Sequence, residues 1–136
     1  MKKRLIIWLP NMLLLLTACG GGQGGQPRTS IDVNMTDYAY NPKEHVVPTG
    51  KDITVNIVNN GAVTHNFIIM KAGTNIGEDF DEADEPNVYW QVQLSPGKSV
   101  TTSFTAPSQR GEYVIVCSTP GHYLARMTGR LVVVAP

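Results

Sequence analysis

Residues 112–134, EYVIVCSTPGHYLARMTGRLVVV, decide the fold of this chain and most of its chemistry. Two apolar runs, 112–117 and 129–134, flank a loop of Ser, Thr, Pro and Gly. β-Branched side chains suit a pleated, half-buried surface, so both runs are expected as strands. Cys117 ends the first run, which gives its sulfur a rigid stem. Pro120-Gly121 turns the chain tightly enough to bring His122 back toward that sulfur. Met127 follows a second short loop, just before the last strand begins.

The same strand-and-turn pattern extends upstream. Short runs at 31–35, 45–47, 53–59, 65–71, 88–94 and 99–105 are period-two or apolar, and six intervening breaks contain Pro, Gly or Asn. Alternation is cleanest where Ile53, Val55 and Ile57 are separated by Thr54 and Asn56, as a half-buried strand requires. With no convincing helical stretch, about eight strands predict an all-β antiparallel sandwich. There is no internal repeat.

His65, at the start of another apolar run, completes a set of one Cys, two His and one Met. A thiolate and two imidazoles in a trigonal arrangement, with a long thioether on the axis, is the donor set of a blue-copper electron-transfer site. Taken singly, each residue has a plainer role: His65 as a satisfied core histidine, Cys117 as a small buried hydrophobe, Met127 as filler. Jointly they point to copper. Structural zinc sites carry more thiolates and no Met. A Cys117–His122 nucleophile pair would leave Met127 and His65 unused and has no evident orienting carboxamide or carboxylate. Three histidines in the whole chain are too few for multicopper catalysis, so no enzyme is expected. The alternative that stays open is a copper chaperone or storage protein.

The Cys-x4-His-x4-Met loop, with Thr64-His65-Asn66-Phe67 upstream, resembles the ligand loops of the cupredoxins, the type 1 blue copper proteins related to plastocyanin, azurin and auracyanin. The resemblance spans roughly 31–134. It implies an eight-stranded Greek-key sandwich with one copper ion at one end, held by His65, Cys117, His122 and Met127. It also implies that Asn66 ties its strand to the Cys loop through Ser118, and that backbone N–H groups there donate to the thiolate. The expected role is single-electron transfer between redox partner proteins. The His122 end would be the port, with Pro120, Gly121 and Tyr123 as its apolar collar.

Two other stretches stand apart. GEDFDEADEP packs six carboxylates into positions 78–85; charge this dense reads as a solvated loop with at most a helical turn. A docking patch for a basic partner is a sharper reading, and calcium a weaker one, since the EF-hand Gly and terminal Glu are missing. His45, within PKEHVVPTG, reads as a surface or strand-edge residue.

The N-terminus predicts export. Lys2, Lys3 and Arg4 precede an apolar stretch too short to span a bilayer, which ends in Leu16-Thr17-Ala18-Cys19. That ending resembles a bacterial lipobox, which makes residues 1–18 a signal peptide and Cys19 the lipidated residue. Residues 19–30 follow as a Gly-rich flexible tether, and 31–136 form the cupredoxin domain. A lipid-linked Cys19 could not pair with Cys117, leaving Cys117 the one free thiol of a lipid-anchored, extracytoplasmic monomer. Removing three cations leaves 8 basic against 11 acidic residues, and with no basic stripe a nucleic-acid partner is not expected.

Overall fold

Period-two burial marks several strands within residues 25–136, the part of the chain described by a computed structural model. The signal segment 1–18, Cys19 and the first part of the tether lie outside the described residues. The elements are β1 (Ser30–Thr36), β2 (Ala39–Asn41), β3 (Glu44–Pro48), β4 (Asp52–Asn59), β5 (His65–Met70), a 3-10 turn (Glu85–Asn87), β6 (Val88–Leu94), β7 (Ser99–Thr105), β8 (Gly111–Val116) and β9 (Thr128–Val134).

They form two packed sheets, ordered β2-β1-β4-β7 and β3-β9-β8-β5-β6. In β4, Ile53, Val55, Ile57 and Asn59 all turn inward. The three apolar side chains meet Phe67, Ile69, Tyr113, Ile115 and Leu131 of the facing sheet in one core. The all-β sandwich expected from the alternation is therefore present, with one added strand. β2 is three residues long, too short to carry a period-two signal. Most pairings are antiparallel, but β1–β4 and β3–β9 run parallel. Both follow from β3 crossing to the second sheet before β4 re-enters the first in the direction of β1.

β5 departs from alternation: all six of its side chains are buried. Phe67 and Ile69 face the main core, while Ile68 and Met70 join Ile76 and Val116 in a second cluster against which Phe80, Val88, Val114 and Tyr123 pack. The cover on this second face is the acidic segment. β5 and β6 pair from His65↔Leu94 to Met70↔Val88, so the connection leaves β5 at the end remote from His65. A six-residue strand is about 17 Å long. The connection runs back along it, lays Ile76 and Phe80 on the strand's outer face, and reaches the Cys117–Met127 loop, where Asp79 Oδ2 accepts the Gly121 N–H at 2.7 Å. Residues 78–85 form a strap that is largely exposed, as the charge density predicts, yet pinned by Phe80 to the sheet and by Asp79 to the ligand loop. Asp84 is itself buried and accepts the Asp81 N–H at 3.1 Å. Two apolar side chains anchor the segment while most of its carboxylates stay in water, which reconciles charge density with packing.

Asn59, fully buried at the end of β4, shapes the approach to His65. Its amide donates to Val63 O at 2.8 Å and Leu94 O at 2.9 Å, and its oxygen accepts the Gly61 N–H at 2.8 Å. The loop 60–64 is therefore moulded around a polar plug.

His45 corrects the surface expectation. β3 is an edge strand, but the side chain points inward and is 5% exposed, edge-on to Phe67 at 6.0 Å. Its Nε2 has no hydrogen-bond partner among the described residues. Burial lowers its pKa from the ordinary value, opposed by Asp32 and Glu44. The unfolded chain then binds more protons than the folded one just below that ordinary value of about 6.5. The apoprotein is expected to lose unfolding free energy as the pH falls from about 7 to 5, and His45→Leu to flatten that loss. Urea unfolding across this range checks it; an equally steep loss in the variant would count against His45.

Candidate metal centre

Cys117 lies one residue beyond β8, and His65 is the first residue of β5. The β5–β8 register pairs Ile68 with Val116; continued outward, it sets Phe67 opposite Cys117 and Asn66 opposite Ser118. Adjacent strands thus deliver His65 and Cys117 to one end of the sandwich. His122 returns on the loop between β8 and β9. Its N–H donates to Thr119 O at 2.9 Å, its carbonyl accepts the Met127 N–H at 2.9 Å, and Ala125 N–H closes onto Gly121 O at 2.9 Å. Arg126, at φ 66°, reverses the chain so that Met127 enters the core just before β9.

The donor atoms of His65, Cys117 and His122 lie within 4.8 Å of one another. Cys117 Sγ is 3.9 Å from His65 Nδ1 and 3.6 Å from His122 Nδ1. First-row metal bonds of about 2.3 Å to sulfur and about 2.0 Å to nitrogen, opened to a trigonal angle, would separate S and N by about 3.7 Å. The three side chains therefore fit one small ion without rearrangement. His65, Cys117 and Met127 are wholly buried and His122 is 6% exposed. Among the described residues no other set of three or more His, Cys, Asp or Glu side chains converges in this way.

Asn66 locks the arrangement. Its N–H points at Cys117 Sγ at 3.4 Å, its side-chain amide donates to Ser118 Oγ at 2.5 Å, and its carbonyl accepts the buried Tyr40 hydroxyl at 2.5 Å. Thr119 Oγ donates to Thr64 O at 2.8 Å, a further stitch between the same two segments. Burial pushes the Tyr40 phenol well above its usual pKa, with Cys117 adding to the shift, so it remains a donor. His122 is pushed the other way, chiefly by burial and then by His65, with Asp37 and Asp79 opposing. A neutral imidazole keeps a lone pair for a metal.

Several contacts escape sequence reasoning. Asp37 Oδ1 lies 2.9 Å from His65 Nε2, and its carboxyl is held below the usual range chiefly by the Ala62 N–H. Tyr38, at φ 68° and 54% exposed, stands edge-on to His122 with ring centres 5.1 Å apart. Tyr40 and Asp79 complete the group. These residues are remote from their partners in sequence, and no spacing connects them. Tyr123, expected beside His122, instead packs on the Ile68–Met70 face, and Tyr38 occupies the exposed flank.

The two-sheet fold and this donor set define a copper protein of the cupredoxin class. The chain belongs to the family of copper binding proteins of plastocyanin/azurin type, which it matches over residues 27–134. It is 33% identical to auracyanin-A of Chloroflexus aurantiacus, with 92% of each chain covered. It also resembles the solved structure of dithionite-reduced auracyanin from Roseiflexus castenholzii at 35% identity and a TM-score of 0.68, covering 80% of this chain and 99% of that one. The solved structure of auracyanin A from Chloroflexus aurantiacus, described as a "blue" copper protein, matches at 33% identity and a TM-score of 0.63, over 77% of this chain and 98% of that one.

Tyr40→Phe leaves the Asn66 carbonyl buried without its donor and is expected to cost about 1–3 kcal/mol of unfolding free energy. Guanidinium titration of the apoprotein reads this, and a midpoint equal to wild type would show the bond to be dispensable.

Proposed function

We propose that this chain is a single-electron carrier, not an enzyme, in which His65, Cys117 and His122 would hold one copper ion, with Met127 as a weaker fourth donor. The observation that carries the reading is the convergence of two imidazole Nδ1 atoms on one buried sulfur at 3.6 and 3.9 Å. Copper supplies a Cu(II)/Cu(I) couple there. The protein's own contribution is to keep the donors still: ligands fixed by two paired strands and a stitched loop move little between oxidation states, which favours fast transfer. The Asn66 N–H aimed at the sulfur draws charge from it and raises the tendency to accept an electron.

Burial of the donors argues for transfer of electrons over transfer of metal, since a chaperone needs an open and exchangeable site. The His122 edge is the proposed port. Tyr38, Val63 and Leu124, three of the four most exposed large hydrophobic residues among those described, lie on the turns that carry or touch the ligands. A small apolar face of this kind suits brief contact with redox partner proteins. The protein is taken to act as a monomer.

We infer further that residues 1–18 direct export, that Cys19 carries lipid, and that the Gly-rich segment tethers the domain at the outer side of a bacterial membrane. The support is the sequence itself. Among the described residues no helix is long and apolar enough to cross a membrane.

Addition of Cu(II) to the purified protein is expected to give an intense thiolate-to-copper band in the visible, absent from Cys117→Ala. A colourless wild-type complex would overturn the blue-copper reading, and rapid stripping by a cuprous chelator would favour a chaperone. Cys19→Ser is expected to move the protein from the membrane fraction to the soluble one; a wild type that is already soluble would remove the anchor.

A further inference from the structure

The two-residue turn between β1 and β2 touches both histidines of the centre. Asp37 meets His65, and Tyr38, in the left-handed region, meets His122. The Asp37 contact is built from several sides. Its two oxygens take the Ala62 N–H at 3.1 and 3.0 Å, which fixes the carboxylate plane. Residue 61 is Gly where a Cβ would sit 2.5 Å from both Asp37 Oδ1 and His65 Nε2, so only glycine lets the loop close over this pair. Asn59 Oδ1, accepting the Gly61 N–H, holds that glycine in place. His65 is wholly buried, while the Asp37 side chain is 38% exposed. The carboxylate can therefore stay ionised at the rim while its inner oxygen reaches a buried ring.

We propose that Asp37 is a positioning residue for the copper centre: it accepts the Nε2–H of His65 and so holds that imidazole with Nδ1 bare and turned toward the Cys117 sulfur. An ionised carboxylate can only accept, so the nitrogen facing it must carry the proton. The opposite nitrogen is then the lone-pair donor. Carboxylate partners of this kind fix the tautomer and ring orientation of a metal-binding histidine and raise its basicity. They also place negative charge near the site, which favours the more highly charged oxidised ion. Asp37 should therefore strengthen Cu(II) binding more than Cu(I) binding and lower the reduction potential. This role rests on His65 being a ligand, and the tests separate the two.

In the apoprotein, 15N shifts of the His65 ring should show the proton on Nε2 in wild type and a mixed tautomer in Asp37→Ala. In the copper-loaded protein, Asp37→Asn, which keeps the shape and loses the charge, should weaken Cu(II) binding about 10- to 100-fold. It should weaken Cu(I) binding less and raise the potential. A wild-type proton on Nδ1 would overturn the proposal. So would Asp37 variants that lose only unfolding free energy and keep the wild-type tautomer and potential. His65→Ala tells the two failures apart. Loss of the visible band there, with Asp37→Asn unchanged, removes the positioning role alone. Survival of the band removes the ligand assignment and the proposal with it.

Discussion

A backbone N–H aimed at a buried sulfur is the contact on which the rest of the molecule depends. For Asn66 N to reach Cys117 Sγ at 3.4 Å, β5 and β8 must pair in one register. The loop after β8 must also begin where β5 begins. That register brings the Asn66 amide onto Ser118 and leaves the Asn66 carbonyl facing Tyr40. One residue is thus held by its N–H, its carbonyl and its side chain. A one-residue slip would turn Asn66 to the opposite face and carry His65 away from the sulfur. The site is a property of strand pairing before it is a property of its ligands.

The sulfur and the thioether are continuous with the hydrophobic core. Cys117 and Met127 belong to the same cluster as Tyr40, Phe67 and Leu131, so the forces that fold the sandwich also dehydrate two of the candidate ligands. Low polarity strengthens every remaining electrostatic contact there. This is why a single N–H, one hydroxyl and one carboxylate carry weight that they would lack in water. The polar groups are few and nearly all paired. Among the described residues His45 Nε2 is the exception, and its ring stands edge-on to Phe67.

Much of the fold could be read from the chain alone, because alternation and turn residues are local signals. Ile53, Val55 and Ile57 declared their face, and the Cys–His–Met loop declared its chemistry through residue type and spacing. Four kinds of feature were not legible. β2 is too short to alternate, and the parallel pairings depend on how the chain crosses between sheets. Burial of His45 depends on a neighbour, Phe67, twenty-two residues away. The contacts made by Asp37, Tyr38, Tyr40 and Asp79 join segments 25 to 84 residues apart, a separation at which sequence pattern carries no information. The acidic stretch is largely exposed, as its charge suggested, but the two side chains that set its course, Ile76 and Phe80, carry no comparable signal.

The strap formed by that stretch gives the molecule a mechanical linkage along its length. The connection that contains it leaves β5 far from the metal centre, touches the peptide N–H of Gly121, next to His122, through Asp79, and returns to Lys71 at Asn87. Between those points it is the lid over Ile68, Met70 and Val116. Opening it at either end would wet the outer face of β5, the one strand with no solvated side. Local fraying of this segment is therefore coupled to the order of the His122 loop, and the two should exchange their amide hydrogens as one cooperative unit. A disturbance at the opposite pole would reach the His122 loop through this ribbon of chain without crossing the core.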